Sequence, residues 1–162
     1  RGNVATRLAN LAAGEADATL LARAGLNRLD AAGTGHPLAA DEWLPAPGQG
    51  AIAIECRADD AATRAVLSAI DDLPSRHAVF AERALLAGLG GNCHSPIAVL
   101  TTAEGSELIL RAAIYSPDGA EKVEATTRFA AGDPAGPARL AAELLNRAPD
   151  AVRAHFSGPA QE

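Results

Sequence analysis

The hydrophobic period of the chain changes across Gly90-Gly-Asn-Cys-His-Ser-Pro96, and that change limits the possible folds more than any other feature. Upstream, apolar residues recur at helical spacing. Val4, Leu8 and Leu11 fall at i, i+4 and i+7, and Val79, Leu85, Leu86 and Leu89 mark the buried side of a later helix. Downstream, Ile97–Thr102, Leu108–Tyr115 and Lys122–Phe129 read as three strands. Ser116-Pro-Asp-Gly119 joins the last two and fits a type I turn with Pro at its second position. A helix then restarts at Asp133-Pro134 with Leu140, Leu144 and Leu145 inward, and a short helix is predicted over Ala151–Phe156. Consecutive strands flanked by helices predict an α+β domain: a small three-stranded antiparallel sheet with helices on one face.

The earlier residues suggest an α/β unit entered partway through. A helix is predicted from about Asn3 to Gly14, then a short buried strand over Asp17–Ala22. A second helix, Arg23–Ala32, turns Leu26 and Leu29 inward and is broken by Gly33-Thr-Gly-His-Pro37. Leu44-Pro-Ala-Pro-Gly-Gln-Gly50 is a stiff, turn-rich connector of the kind that joins domains. Ala51–Arg57 follows as a predicted strand, with Ile52 and Ile54 on one face. Asp59 or Asp60 caps a helix running to about Ile70, and Ser75 caps the next, which Gly90-Gly91 closes.

Composition sets outer limits. The chain has 162 residues, room for one ordinary domain or two small ones. Only five residues are aromatic (Trp43, Phe80, Tyr115, Phe129 and Phe156), so the core must come mainly from Ala, Leu, Val and Ile. No apolar run approaches the roughly 18–20 residues that span a bilayer. The net charge is −6 and the cations form no stripe, which removes the usual electrostatic support for nucleic-acid binding. Cys56 and Cys93 make neither a disulfide scaffold nor a CxxC site, and no signal peptide opens the chain, so a reducing, cytoplasmic setting is expected. The chain opens on Arg-Gly-Asn and lacks Met, as a processed chain or a fragment would. Thirteen arginines against the single lysine Lys122, with abundant Ala, suggest GC-rich coding and a bacterial source.

Three features carry possible chemistry. Gly48-Gln-Gly50-Ala51 resembles a nucleotide loop, but a strand rather than a helix follows and no Lys-Ser/Thr pair completes a P-loop; it reads as a hinge turn. Cys93 stands in a glycine-rich, polar loop and is predicted to be exposed. Two readings are open for it: a loop thiol without a role, or a covalent attachment point or nucleophile. A metal site would have to recruit His36, His77 or Cys56 from a distance, and none is expected. Arg1 and Arg7 flank a predicted helix start beside Gly2, a combination suited to a carboxylate or phosphate; Arg28 is a further candidate. The alternative is that these are solvated surface arginines.

Five motifs in order carry a resemblance. Arg-Gly-Asn-Val-Ala-Thr-Arg7-Leu, Leu-Pro-Ala-Pro-Gly-Gln-Gly-Ala51, Ile-Glu-Cys-Arg57, Ala-Glu-Arg83 and Gly-Gly-Asn-Cys93-His-Ser-Pro-Ile97 together resemble the porphobilinogen deaminases, or hydroxymethylbilane synthases, of tetrapyrrole biosynthesis. The resemblance runs through essentially the whole chain. It implies a transferase of three domains, monomeric when intact, whose first two domains resemble periplasmic binding proteins. Residues 1–43 would then be the remainder of the second domain, 44–72 the hinge and a strand–helix returning to the first, and 73–162 the cofactor-attachment domain. It also implies that Cys93 forms a thioether to a dipyrromethane cofactor, on which four porphobilinogen molecules are deaminated, condensed head to tail and released as hydroxymethylbilane. Arg1, Gly2 and Arg7 would bind the cofactor, and Arg7, Arg28 and Gln49 the substrate, since each pyrrole carries an acetate and a propionate.

The family's catalytic aspartate has no match here, so the resemblance places it in an N-terminal part that this chain lacks and implies no turnover by this chain alone. Asn92 stands where the family usually has Gly, and Ser95 where it commonly has an apolar residue. Asn tolerates the left-handed backbone that Gly often supplies. The alternative to the enzyme reading is a noncatalytic carboxylate-binding domain or interaction module of related fold.

Overall fold

Asn3 opens the first helix as expected: its side-chain oxygen accepts from the Thr6 N–H at 2.9 Å, satisfying one of the amides that a helix start leaves unpaired. The computed structural model describes residues 2–158. The chain divides into two units, residues 1–39 and 40–162. In the first, α1 (Val4–Ala12) half-buries Val4 and Leu8 and leaves Leu11 exposed. The second helix, α2 (Arg23–Arg28), carries the buried Leu26.

Two expectations for this unit are corrected. Asp17–Ala22 is not a strand: it has no neighbouring strand among the described residues of the unit to share its backbone bonds, and Leu20 is exposed. The helix predicted over Arg23–Ala32 stops at Arg28. The Leu26 carbonyl accepts from both Leu29 and Ala31, and Asp30 takes a left-handed conformation (φ 52°) that ends the helical path. Leu29 therefore points to solvent instead of inward. The described residues of this unit hold two helices and no strand.

In the second unit Asp60 caps α3 (Ala61–Leu67), accepting from the Thr63 N–H, and a 3-10 turn over Ser68–Ile70 completes the run. Asp72, not Ser75, caps α4 (Leu73–Gly88): the Ser75 N–H donates to Asp72 at 2.9 Å, so Ser75 lies inside the first turn with Pro74. Ala51–Arg57 is not a strand either. It has no pairing partner among the described residues, and Ile52 and Ile54 are exposed.

The sheet forms as predicted. β1 (Ile97–Glu104), β2 (Glu107–Tyr115) and β3 (Lys122–Ala130) lie antiparallel in that order, followed by α5 (Ala135–Arg147) and α6 (Asp150–Arg153). The register sets Val99 opposite Ala112, and Leu108 opposite Phe129. Side chains alternate between faces, so Val99, Leu108, Leu110, Ala112, Ile114, Val123, Ala125 and Phe129 share one buried face. Ala81, Leu85 and Leu89 of α4 and Leu140, Ala141 and Leu144 of α5 join that core, as do Val152 and Phe156. The core is aliphatic, as the scarcity of aromatics requires. Among the described residues no helix is long and apolar enough to cross a membrane.

The other face carries charge. Arg128 pairs with Glu104 at 2.7 Å and Glu107 at 3.2 Å, while Glu124 receives both Lys122 and Arg111. The Lys122 ammonium, and then the Arg111 guanidinium, hold the Glu124 carboxyl below the usual glutamate range. A carboxyl lowered on folding stabilises above its unfolded pKa of about 4.3, and that gain is lost as pH falls through the folded value. Glu124→Gln is thus expected to cost under about 1 kcal/mol at neutral pH, a difference that closes in acid. Thermal unfolding of both proteins from pH 7 to pH 3 checks this.

Candidate functional site

The loop bearing Cys93 is built from the end of α4. The Gly90 N–H donates to Ala87 O and the Gly91 N–H to Leu86 O, both at 2.9 Å, with Gly90 at φ +65°. This paired closure satisfies terminal carbonyls and needs a left-handed residue at its centre, which glycine supplies without strain. The Ser95 N–H then donates to Asn92 O at 3.0 Å, closing a turn with Cys93 at its second position. Two side chains brace that turn: Ser95 Oγ accepts from the Asn92 N–H at 2.9 Å, and Asn92 Oδ1 accepts from the His94 N–H at 2.8 Å. Cys93 is exposed with a free thiol, as predicted from its polar surroundings.

In the sequence Asn92 and Ser95 stand out only as departures from the family pattern. Their spacing was the available signal, because short polar side chains at the ends of a four-residue turn bond its backbone. In place of glycine's freedom this loop has two side-chain braces.

The connector is held in a similar way. The Gln49 N–H donates to Ala46 O at 3.0 Å and the Ala51 N–H to Gly48 O at 3.1 Å, which makes two successive turns and leaves Gln49 exposed. Glu82 of α4 is buried (8% exposed), and each of its oxygens has its own donor: the Gly48 N–H at 2.7 Å and the Thr101 N–H at 3.1 Å. The Val99 N–H donates to Pro45 O at 2.7 Å. The outer edge of β1 is thus occupied by the connector and by one carboxylate. Glu82 belongs to the Ala-Glu-Arg83 motif, and the motif by itself assigns it no role. The signal was its position at i, i+3 and i+7 with Leu85 and Leu89, which places a charge on the buried side of the helix.

In the other unit Arg7 projects from α1. Its Nε donates to Gly2 O and its terminal nitrogen to Leu20 O, each at 3.2 Å, so the guanidinium is fixed while the side chain stays exposed. Gly2 has φ +147°, and a Cβ there would crowd the Thr6 side chain, so the position is suited to glycine. Arg28 is exposed in the last turn of α2. Arg1 lies outside the described residues. Among the described residues no three His, Cys, Asp or Glu side chains gather as metal ligands would.

An exposed thiol on a braced turn can form a covalent bond to a ligand, and fixed guanidinium groups favour carboxylates. Fold and site together define a class: an α+β domain that displays one cysteine on a helix–strand loop, preceded in sequence by a helical unit in which one guanidinium, that of Arg7, is fixed.

Comparison with known proteins narrows this class. Residues 1–65 match the family model described as "Porphobilinogen deaminase, dipyromethane cofactor binding domain", and residues 77–148 match "Porphobilinogen deaminase, C-terminal domain". The first match contains Gly2, Arg7, Arg28 and Gln49; the second contains Glu82 and Cys93. The chain is 52% identical over 158 residues to a porphobilinogen deaminase of Sphingopyxis alaskensis, an alignment covering 97% of this chain and 50% of that protein. A porphobilinogen deaminase of Nitrobacter hamburgensis is 48% identical over 160 residues (98% and 51%), and one of Paracoccus denitrificans 49% over 154 (92% and 48%). The chain belongs to the porphobilinogen deaminase family. It spans about half the length of the curated relatives it matches.

Proposed function

We propose that this chain is the cofactor-attachment portion of a hydroxymethylbilane synthase, the transferase that deaminates and condenses four porphobilinogen molecules in tetrapyrrole biosynthesis. The observation that carries the reading is Cys93, exposed at a doubly braced turn within the part of the chain that matches the family's C-terminal domain. The donor set suits a dipyrromethane: a thiol for the thioether, and guanidinium forks for the ring acetates and propionates. Bound there, the group would supply the pyrrole carbon to which substrate units are added. Cys93 anchors it; Arg1, Gly2 and Arg7 bind its carboxylates; Arg7, Arg28 and Gln49 receive those of porphobilinogen.

In this reading residues 1–43 belong to a periplasmic-binding-protein-like domain, 44–72 return through the hinge to the preceding domain, and 73–162 form the attachment domain. The whole protein is a cytoplasmic monomer, and the proton-handling aspartate lies outside this chain. The test is intact mass with peptide mapping at Cys93, together with synthase activity, for this chain alone and joined to the N-terminal half of a relative. The expected result is a dipyrromethane adduct on Cys93 and turnover only in the joined protein. A joined, folded protein with an unmodified Cys93 and no turnover would instead favour a noncatalytic carboxylate-binding module.

A further inference from the structure

The base of the Cys93 loop is held from the far end of the chain. A helix leaves its last carbonyls without partners inside the helix. Just past the end of α4, the carbonyls of the capping residue Leu89 and of Gly90 are likewise not served by the internal closure. The Gly158 N–H donates to Leu89 O at 3.0 Å, and the Ser157 hydroxyl donates to Gly90 O at 3.0 Å across 67 positions of sequence. The contact is close-packed as well as hydrogen-bonded, since a Cβ at Gly90 would overlap the Gly158 carbonyl oxygen and Ser157 Oγ. Phe156, just before, is buried, and Val152 of α6 is fully buried, so the tail reaches the loop from an anchored point.

From these contacts we propose that Ser157 and Gly158 form a positioning latch for the Cys93 loop, so that attachment at Cys93 depends on the C-terminal tail. The dependence on attachment rests on the function proposed above; the latch itself rests on the contacts alone. Asn92 and Ser95 fix the turn internally, while the Gly91 N–H to Leu86 O bond and the Tyr115 N–H to Pro96 O bond, each at 2.9 Å, tie its two ends to α4 and β2. The tail adds the bonds at Leu89 O and Gly90 O, which stiffen the side from which the loop departs. Nothing in this arrangement requires the latch residues to touch the attached group.

Three variants of the full chain test it: Ser157→Ala, which removes one donor; a stop codon after Phe156, which removes both; and Ser157→Thr, which keeps the hydroxyl. Peptide-resolved hydrogen exchange reads the latch. Truncation is expected to speed exchange over residues 90–96 at least tenfold while β2 stays within twofold of the unaltered chain; Ser157→Ala falls between, and Ser157→Thr matches the original. Unchanged exchange over 90–96, or equal acceleration across β2, overturns the latch.

Attachment is read by the fraction of Cys93 carrying the adduct in the same variants joined to the N-terminal half of a relative and assembled with porphobilinogen. Alkylation of Cys56, also exposed, serves as the internal reference. At equal folded fraction the adduct is expected to fall at least threefold on truncation and to return with Ser157→Thr. Full adduct occupancy in the truncated protein overturns the positioning role. Absence of adduct in the unaltered protein overturns the function reading, and the exchange result still decides the latch.

Discussion

Replacing Cys93 with Ser is expected to remove all covalent adduct from the assembled protein while leaving the domain as stable as before. The side chain is exposed, and every bond that shapes the turn comes from the backbone, Asn92 or Ser95. Surface substitutions away from such bonds change stability by about 0.5 kcal/mol or less. The chemical change is far larger. Thiol sulfur is a strong nucleophile able to form the thioether, whereas a serine hydroxyl without an adjacent base is a weak one. Intact mass and thermal unfolding, measured side by side on Cys93→Ser and Cys56→Ser, separate the two consequences. Cys56→Ser should keep the adduct and Cys93→Ser should lose it, with both melting within about 2 °C of the original. An adduct that survives Cys93→Ser and disappears with Cys56→Ser would move the attachment point and sink the proposed site.

Local pattern determines the fold where one segment's alternation is enough to fix its partner. The alternation across β1, β2 and β3 gives each strand an apolar face, and the neighbouring strands supply the ladder within one unit, so boundaries and pairing follow closely. Ala51–Arg57 and Asp17–Ala22 have equally apolar patterns but no strand beside them among the described residues. A strand is stabilised by its neighbours more than by its own propensity, so pattern alone overstated both. Leu29 failed for a local reason: the turn at Asp30 ended the helix before the periodicity did.

At the site, the exposure of Cys93 was legible because glycine and polar neighbours keep a segment at the surface. Its braces were not. Asn92 and Ser95 act through backbone amides, a function that composition does not reveal. Glu82 was hidden differently, since a buried carboxylate makes sense only once the two segments that donate to it are known.

Glu82 is also where a single polar side chain is expected to carry a large share of the stability. Its two oxygens serve two backbone N–H groups from different segments, Gly48 in the connector and Thr101 on the edge of β1. Glu82→Ala deletes both acceptors and leaves part-buried donors unpaired, a cost on the order of 2–4 kcal/mol in all, large against a total domain stability of about 5–15 kcal/mol. Glu82→Gln separates charge from geometry. Its single amide oxygen can serve one donor, while its NH2 group must face the other, so it should lie between Ala and the original and not match either. Urea unfolding gives the order, and hydrogen exchange at the Gly48 and Thr101 amides shows whether these bonds are the ones lost. If Glu82→Ala costs under about 0.5 kcal/mol, or both amides keep their protection, the carboxylate is not what holds the connector against the sheet. If both lose protection while β2 retains its own, one side chain on the cofactor-loop helix also fixes the turn that carries Gln49. Two of the residues assigned to the site, Cys93 and Gln49, would then depend on the same helix for their placement: Cys93 through its C-terminal end, Gln49 through Glu82.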